Sequence, residues 1–232
     1  NAKTVRNNNS SRFGKHFDIQ FDEKGSILGA FTSIYLLEKP RITEHMKGER
    51  NYHVFYMICK SGADIRDPVF VKDWKEYKIC SQLGTVAEMT SWNDNAEMKD
   101  MHAAYLKLGF SEKQRMELYL MLSFCLQLGN VDFEENDAGE GCLITTPETL
   151  EVAAEVLSVG PEDLGAAVTS KTMGGGVIEV FVKPLEARQA NVARNSLIQH
   201  VYCLVFDWCV DVVNDYIAVS NADFAVGVLD IF

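Results

Sequence analysis

One stretch near the end of the chain sets the scale of the fold. From about Leu185 to Ile217, the residues Leu197, Val201, Leu204, Trp208, Val212 and Tyr216 recur at helical spacing. A helix of that length spans a domain, so the other elements must be arranged along it. At the other end, residues 16–22 (HFDIQFD) alternate, with Phe17, Ile19 and Phe21 on one face, and read as a strand. DEKG is a turn ending at Gly25, and residues 26–37 return as a second strand. Residues 16–37 therefore read as an antiparallel hairpin. The closing run FAVGVLDIF (224–232) is apolar except for Asp230, the pattern of a buried central strand.

Between these strands the period is helical. ERNYHVFYMICKSG, following Gly48, reads as a helix that stops at Gly62. AEMKDMHAAYLKLG (96–109) is helical to Gly109. Ser111 caps the next helix with Gln114 at the capping-box position, and that helix is apolar on more than one side, hence central. FEENDAGEG (133–141) reads as an acidic loop. Thr146-Pro147-Glu148 and Pro161 begin two further helices. GGGVIEVFVKP (174–184) alternates through Val177, Glu179 and Phe181, as a hairpin or exposed β-loop does. Strands, then a helical block, then one apolar strand suit an α+β, mainly α, insertion hung from a sheet.

Composition narrows the function classes. The 232 residues carry a formal net charge of −11, which argues against nucleic acid or an anionic membrane as the main partner. The longest apolar runs, near Leu118 and Val201, are interrupted by polar residues, so no transmembrane segment is expected. Cys59, Cys80, Cys125, Cys142, Cys203 and Cys209 form no C-x-x-C pair, and are expected as buried free thiols in a reducing compartment. The histidines show no zinc-ligand spacing with them, and His53 reads as a packed or surface residue rather than a base.

Two features carry chemistry. The opening NAKTVRNNNSSRFGK is polar from Arg6 to Arg12. Asn, Ser and Arg side chains can serve phosphate oxygens, and a serine hydroxyl can ligate Mg²⁺. The residue types alone are equally those of a solvated loop. Asp230 ends an apolar strand, where a carboxylate either holds a metal or caps the next turn. There is no G-x-x-x-x-G-K-[ST] and no G-x-S-x-G, so if the chain binds a nucleotide the phosphate cradle must come from outside this sequence.

NAKTVRNNNSSRFGK closely resembles switch I of the myosin motor domain, and VGVLDIF resembles the strand leading into that family's switch II. Between them YLLEKPRI, GERNYHVFY, LQLGNVDF and VFDWCV follow in the family's order. The resemblance covers the whole chain. It departs at RNSLIQHVY, where Asn195 and Gln199 replace a charged pair, and at Met57, Val205 and Cys209, which are packing or surface changes.

The resemblance implies a partial motor head with a P-loop NTPase-type sheet. Residues 1–15 would be switch I, 16–39 a transducer hairpin, 48–219 the helical upper 50-kilodalton subdomain, and 224–232 the strand entering switch II. Asn7 would contact the nucleotide phosphates, Ser10 would lie by the γ-phosphate, and Ser11 would ligate Mg²⁺. Arg12 would pair with a switch II glutamate beyond Phe232, and Asp230 would hold Mg²⁺ through water. ATP would be the substrate. Actin filaments and the remaining heavy chain would be partners, light chains would bind outside this segment, and the setting would be cytoplasmic and cytoskeletal. Residues 133–141 would be loop 4 and 172–184 the cardiomyopathy loop, with Glu179 facing actin. Two other classes stay open: a non-catalytic actin-binding or scaffold relative, and an independent helical binding domain.

Overall fold

The computed structural model describes residues 1–175 and 178–231, without side chains at 175–180. Along the chain run β1 (Gly14–Phe21), β2 (Ile27–Tyr35), α1 (His53–Cys59), α2 (Ala63–Arg66), α3 (Asp94–Lys107) and α4 (Glu112–Leu128). There follow β3 (Phe133–Glu135), β4 (Cys142–Ile144), α5 (Pro147–Leu157), α6 (Pro161–Thr169), β5 (Ser170–Gly175), β6 (Ile178–Pro184), α7 (Ala187–Ile217) and β7 (Phe224–Asp230). The mixed α and β content of the sequence reading is present.

The hairpin forms as expected, with Gly14 opposite Tyr35 and a register shift at Gln20/Phe21. Its turn is held by the Asp22 carboxylate, which accepts from the amides of Lys24 and Ser26. Gly25 sits at φ 81°, a conformation that costs a residue with a Cβ. β7 pairs with the other edge of β1, antiparallel, giving the order β2-β1-β7.

The expectation that residues 224–232 form a buried central strand is corrected. β7 is an edge strand, exposed throughout, with Val226 at 50% and Leu229 at 63%. Its apolar composition fits it to be covered, but β1 occupies one edge and its side chains stay open among the described residues.

α7 contains 31 residues, about 46 Å at 1.5 Å per residue. By length and composition it could cross a membrane. Here it packs against β2, α4 and α6, and its Ile198, Tyr202 and Cys203 enter the shared core. α4 is the central helix: Leu118, Leu122, Phe124, Leu126 and Leu128 are all buried, and the Ser111/Gln114 capping box is formed. The cysteines are free, four of them buried, with Cys142 and Cys209 partly so.

Other boundaries moved. The helix expected from Gly48 to Gly62 is α1 alone. Residues 50–52 stay outside it because the amides at its entry go elsewhere: Arg50 donates to the Lys3 carbonyl, Tyr52 to the Asn51 side chain and His53, the first helical residue, to the Asn1 carbonyl. Residues 133–141 are not simply a loop. β3 and β4 pair through Phe133/Ile144 and Glu135/Cys142, leaving Asn136 to Gly141 as the tip. Thr146 makes no side-chain cap for α5; its hydroxyl accepts instead from the Asp132 amide. The hairpin near 174–184 is present as β5 and β6, and Val177 lies outside the described residues.

Two amide side chains clamp the end of α7 to the sheet. Asn214 accepts from the Thr32 amide and donates to the Thr32 carbonyl, both at 2.8 Å. Gln20 treats Val219 in the same way, at 2.8 and 2.9 Å. Each carboxamide satisfies one backbone donor and one acceptor that packing would otherwise leave dry. Gly29 permits the approach, since a Cβ there would lie 2.3 Å from the Ile217 carbonyl oxygen.

Asn214 is buried, so Asn214→Ala strands both Thr32 groups. A loss of about 2–3 kcal/mol is expected in denaturant unfolding of the full-length protein. Exposed Val192→Ala on the same helix should cost well under about 1 kcal/mol.

Candidate functional site

The register of β1 with β7 decides where the two chemical features lie. Lys15 is opposite Asp230, and β1 starts where β7 ends. Gly14 is buried there, and a Cβ on it would lie 3.7 Å from the Tyr35 carbonyl and 3.8 Å from that of Asp230. Residues 10–12, Glu38 and Asp230 therefore gather at one end of the sheet. The Glu38 amide donates to the Arg12 carbonyl at 3.0 Å.

The opening loop is built, not draped. Ala2 is fully buried and exchanges backbone bonds with Ser10 at 2.8 and 2.9 Å. It also bridges to Tyr52, whose ring stacks on Tyr202 of α7 at 5.2 Å. The asparagines fold the loop onto itself. Asn7 Oδ1 accepts from the Asn9 amide, Asn9 Oδ1 accepts from Asn1, and Asn8 Nδ2 donates to Ser91 Oγ. Thr4 closes the turn by donating its amide to the Asn7 carbonyl at 2.7 Å.

Charge reinforces this scaffold. Arg12 Nε donates to Glu38 Oε2 at 2.7 Å, and Arg41 Nε donates to the same oxygen at 2.6 Å. Arg41 Nη2 reaches Glu49 Oε2 at 2.6 Å, and Glu49 Oε1 accepts from the Val5 amide in the opening loop. Burial pushes the Glu38 carboxyl up, but the bonds from Arg12 and Arg41 outweigh it and hold it below the usual range. The same pairing raises Arg41 against the downward pull of its burial.

The site residues read from the sequence fall into three groups. Asn7, Ser10, Ser11 and Arg12 share the loop, with Asn7 exposed and the other three partly buried. Among the described residues the Ser11 hydroxyl and Asn7 Nδ2 make no side-chain hydrogen bond, while Arg12 Nη1 approaches Ser10 Oγ at 3.5 Å. Asp230 comes to the same end of the sheet, half exposed, with Lys15 Nζ at 3.3 Å. An open serine hydroxyl and an open carboxylate are both hard oxygen donors, the kind Mg²⁺ takes, usually with water and phosphate completing the shell. Two donors form no metal cage, and no cluster of three or more His, Cys, Asp or Glu ligands occurs among the described residues. Glu179 stands apart in β6, and its side chain lies outside the described residues.

A second buried cluster supports the loop from behind and escaped the sequence reading. Arg50, fully buried, donates to both Asp94 oxygens at 3.1 and 2.7 Å and lies 4.4 Å from the Tyr56 ring. Its Nε and Nη2 approach His53 Nδ1 at 3.0 and 2.7 Å, and His53 stacks on Trp92 at 4.2 Å. Nδ1 can accept from a guanidinium only if it carries no proton, so His53 is neutral. Burial, then Arg50, lower its pKa to about 3. Arg50 and Asp94 are 44 positions apart, so no local pattern announces the pair.

The sequence matches the family described as myosin head (motor domain) over residues 1–232. Unconventional myosin-VI of Homo sapiens is 36% identical over 264 aligned residues, covering 100% of this chain and 20% of that protein. Unconventional myosin-Ia of Mus musculus is 36% identical over 238, covering 100% and 23%. Unconventional myosin-XV of Homo sapiens is 37% identical over 235, covering 100% and 7%. The chain thus spans about a fifth or less of the length of most of the relatives it matches.

The lowered histidines give a signed pH dependence. His53 and His45, the latter lowered to about 4 by burial and then Arg41, are neutral when folded but protonate near 6.5 when unfolded. The unfolded state therefore binds more protons below that pH, and stability falls as pH drops from about 6.5 toward 4. The slope should approach ~1.4 kcal/mol per pH unit for each histidine. Urea unfolding across that range measures it, and His53→Asn should make the slope shallower.

Proposed function

The chain belongs to the myosin motor-domain family, and we propose that it supplies switch I and part of the actin-binding face of an actin-activated, ATP-hydrolysing motor. The register that pairs Lys15 with Asp230, and so brings Asp230 to the end of the sheet where the opening loop enters β1, supports the reading. In it, residues 1–15 are switch I, β1 and β2 belong to the transducer, residues 48–219 form the upper 50-kilodalton subdomain, and β7 enters switch II. The phosphate-binding loop, the rest of switch II and the lower subdomain belong to the remaining heavy chain. Some of that chain would cover the apolar edge of β7, where Val226, Val228 and Leu229 are exposed.

The roles follow from what each side chain can do. Asn7 presents its carboxamide nitrogen to phosphate oxygens. Ser10, whose backbone is held by Ala2 and whose hydroxyl lies 3.5 Å from Arg12 Nη1, would orient a water beside the γ-phosphate. Ser11 and Asp230 would hold Mg²⁺, the serine directly and the aspartate through water; the ion neutralises phosphate charge when bound. Arg12 closes onto a switch II carboxylate outside this chain. Such catalysis is positioning and charge stabilisation. Clamped to the sheet through Gln20 and Asn214, α7 and the helical block would follow any twist of the strands. That ties loop closure to the face that meets actin.

On that face, Glu179 lies within β6 and would provide a fixed acidic contact. The β3–β4 tip carries Asp137 and Glu140, exposed and solvated, and is the weaker candidate. Light chains would bind elsewhere on the heavy chain, and the setting is cytoplasmic and cytoskeletal.

Arg12→Ala in an intact head should lower ATP hydrolysis on the order of a hundredfold, read by chemical quench. Hydrolysis at the normal rate would remove the role given to Arg12. Residues 1–232 alone should neither bind ATP tightly nor hydrolyse it; calorimetric titration giving micromolar affinity would contradict the division of the site between this chain and the rest.

A further inference from the structure

Glu38 makes more contacts to the opening loop and to Tyr52 behind it than its place at the end of the hairpin requires. Its amide donates to the carbonyl of Arg12, its carboxylate accepts from Arg12 Nε, and its own carbonyl accepts from Tyr52 Oη at 3.1 Å. Arg12 has φ 56°, a left-handed conformation that a side chain disfavours, as does nearby Leu36 at φ 55°. The two bonds from Glu38 secure that conformation. We propose that Glu38 is a positioning residue for Arg12: its carboxylate, braced from behind by buried Arg41, fixes the guanidinium through Nε and directs Nη1 toward the Ser10 side. The inference rests on the functional reading given above for Arg12.

Three observations carry it. The first is rigidity. Arg41 is 4% exposed and is held by Glu38, by Glu49 Oε2 and by the Arg50 carbonyl, so the oxygen facing Arg12 cannot swing away. The second is edge selection. Glu38 takes Nε of Arg12 at 2.7 Å, while Nη1 lies toward Ser10 Oγ at 3.5 Å. A monodentate contact at Nε sets the plane of the guanidinium without engaging it in a bidentate fork. The third is charge. Arg12, Glu38, Arg41 and Glu49 alternate in sign and sum to zero, and Glu49 closes the series on the Val5 amide of the same loop. Removing the Glu38 charge sets two guanidinium groups against each other at the base of the loop. Neutralising Arg41 alone would not require the bond to Arg12, because Glu49 already serves Arg41.

The test is a double-mutant cycle in the intact motor head, with Glu38→Gln, Arg12→Ala and the pair. ATP binding is followed with a fluorescent analogue and the hydrolysis step by chemical quench. Glu38→Gln should slow hydrolysis about tenfold or more while the binding rate changes less than about twofold. In the Arg12→Ala background the same substitution should cost less than about twofold, because its effect runs through Arg12. Glu38→Asp, which keeps the charge but shortens its reach, should recover part of the loss and replaces the glutamine variant if that one does not fold. Equal losses with and without Arg12, or binding and hydrolysis falling together, would make Glu38 a scaffold residue and overturn the proposal. Crippled Arg12→Ala beside a silent Glu38→Gln overturns this inference alone. A silent Arg12→Ala overturns the functional reading and this one with it.

Discussion

The pairing of β1 with β7 is the contact on which the site depends. The two strands are separated by the entire helical block, yet Lys15 lies opposite Asp230 and Phe21 opposite Phe224. A slip of one residue would turn Asp230 to the other face of the sheet and break its contact with Lys15. The pairing brings the loop before β1 and the residues after β7 to one end of the sheet. The block inserted between them packs on α7 through α4, α6 and the β3–β4 hairpin.

Burial decides which charges matter. Lys72–Glu76 and Lys113–Glu117 are exposed i,i+4 pairs, worth about 0.3–0.5 kcal/mol each. Arg50–Asp94 is almost wholly buried, and removing one partner of such a pair costs roughly 3–5 kcal/mol. Arg41 with Glu49 is similarly enclosed. Among the described residues both buried pairs include a member, Glu49 or Arg50, from the segment 49–53 that bonds the opening loop. A polar loop with a buried ionic foundation keeps its shape.

Much of the fold was legible because it rests on local signals. Alternation through Phe17, Ile19 and Phe21 marked the hairpin, Ser111 and Gln114 marked the start of α4, and the helical spacing up to Tyr216 marked α7. What escaped was set at long range. Residues 50–52 carry helix-compatible side chains, but bridging to Ala2 draws them extended. Thr146 had the right identity for a cap and was engaged by Asp132 instead. β7 had the composition of a buried strand, which reports what it can be covered by and not its place in the sheet. For the site, the polar string from Asn7 to Arg12 was visible only as a resemblance. The bridges that shape the loop, Ala2 with Ser10 and with Tyr52, are contacts between distant positions that no local pattern announces. Glu38 and Arg50 stood within the matching strings YLLEKPRI and GERNYHVFY but without a role, since their partners lie 26 and 44 positions away.

The central claim is that Ser11 and Asp230 face one Mg²⁺–nucleotide site, and a change of metal preference tests it most directly. Ser11→Cys replaces a hard hydroxyl with a soft thiol at the ligating position. An intact head carrying it should lose ATP turnover in Mg²⁺ and regain much of it in Mn²⁺ or Cd²⁺, measured side by side with the unaltered head. Undiminished turnover in Mg²⁺, or loss with no rescue by either softer ion, would contradict the placement of Ser11 on the metal.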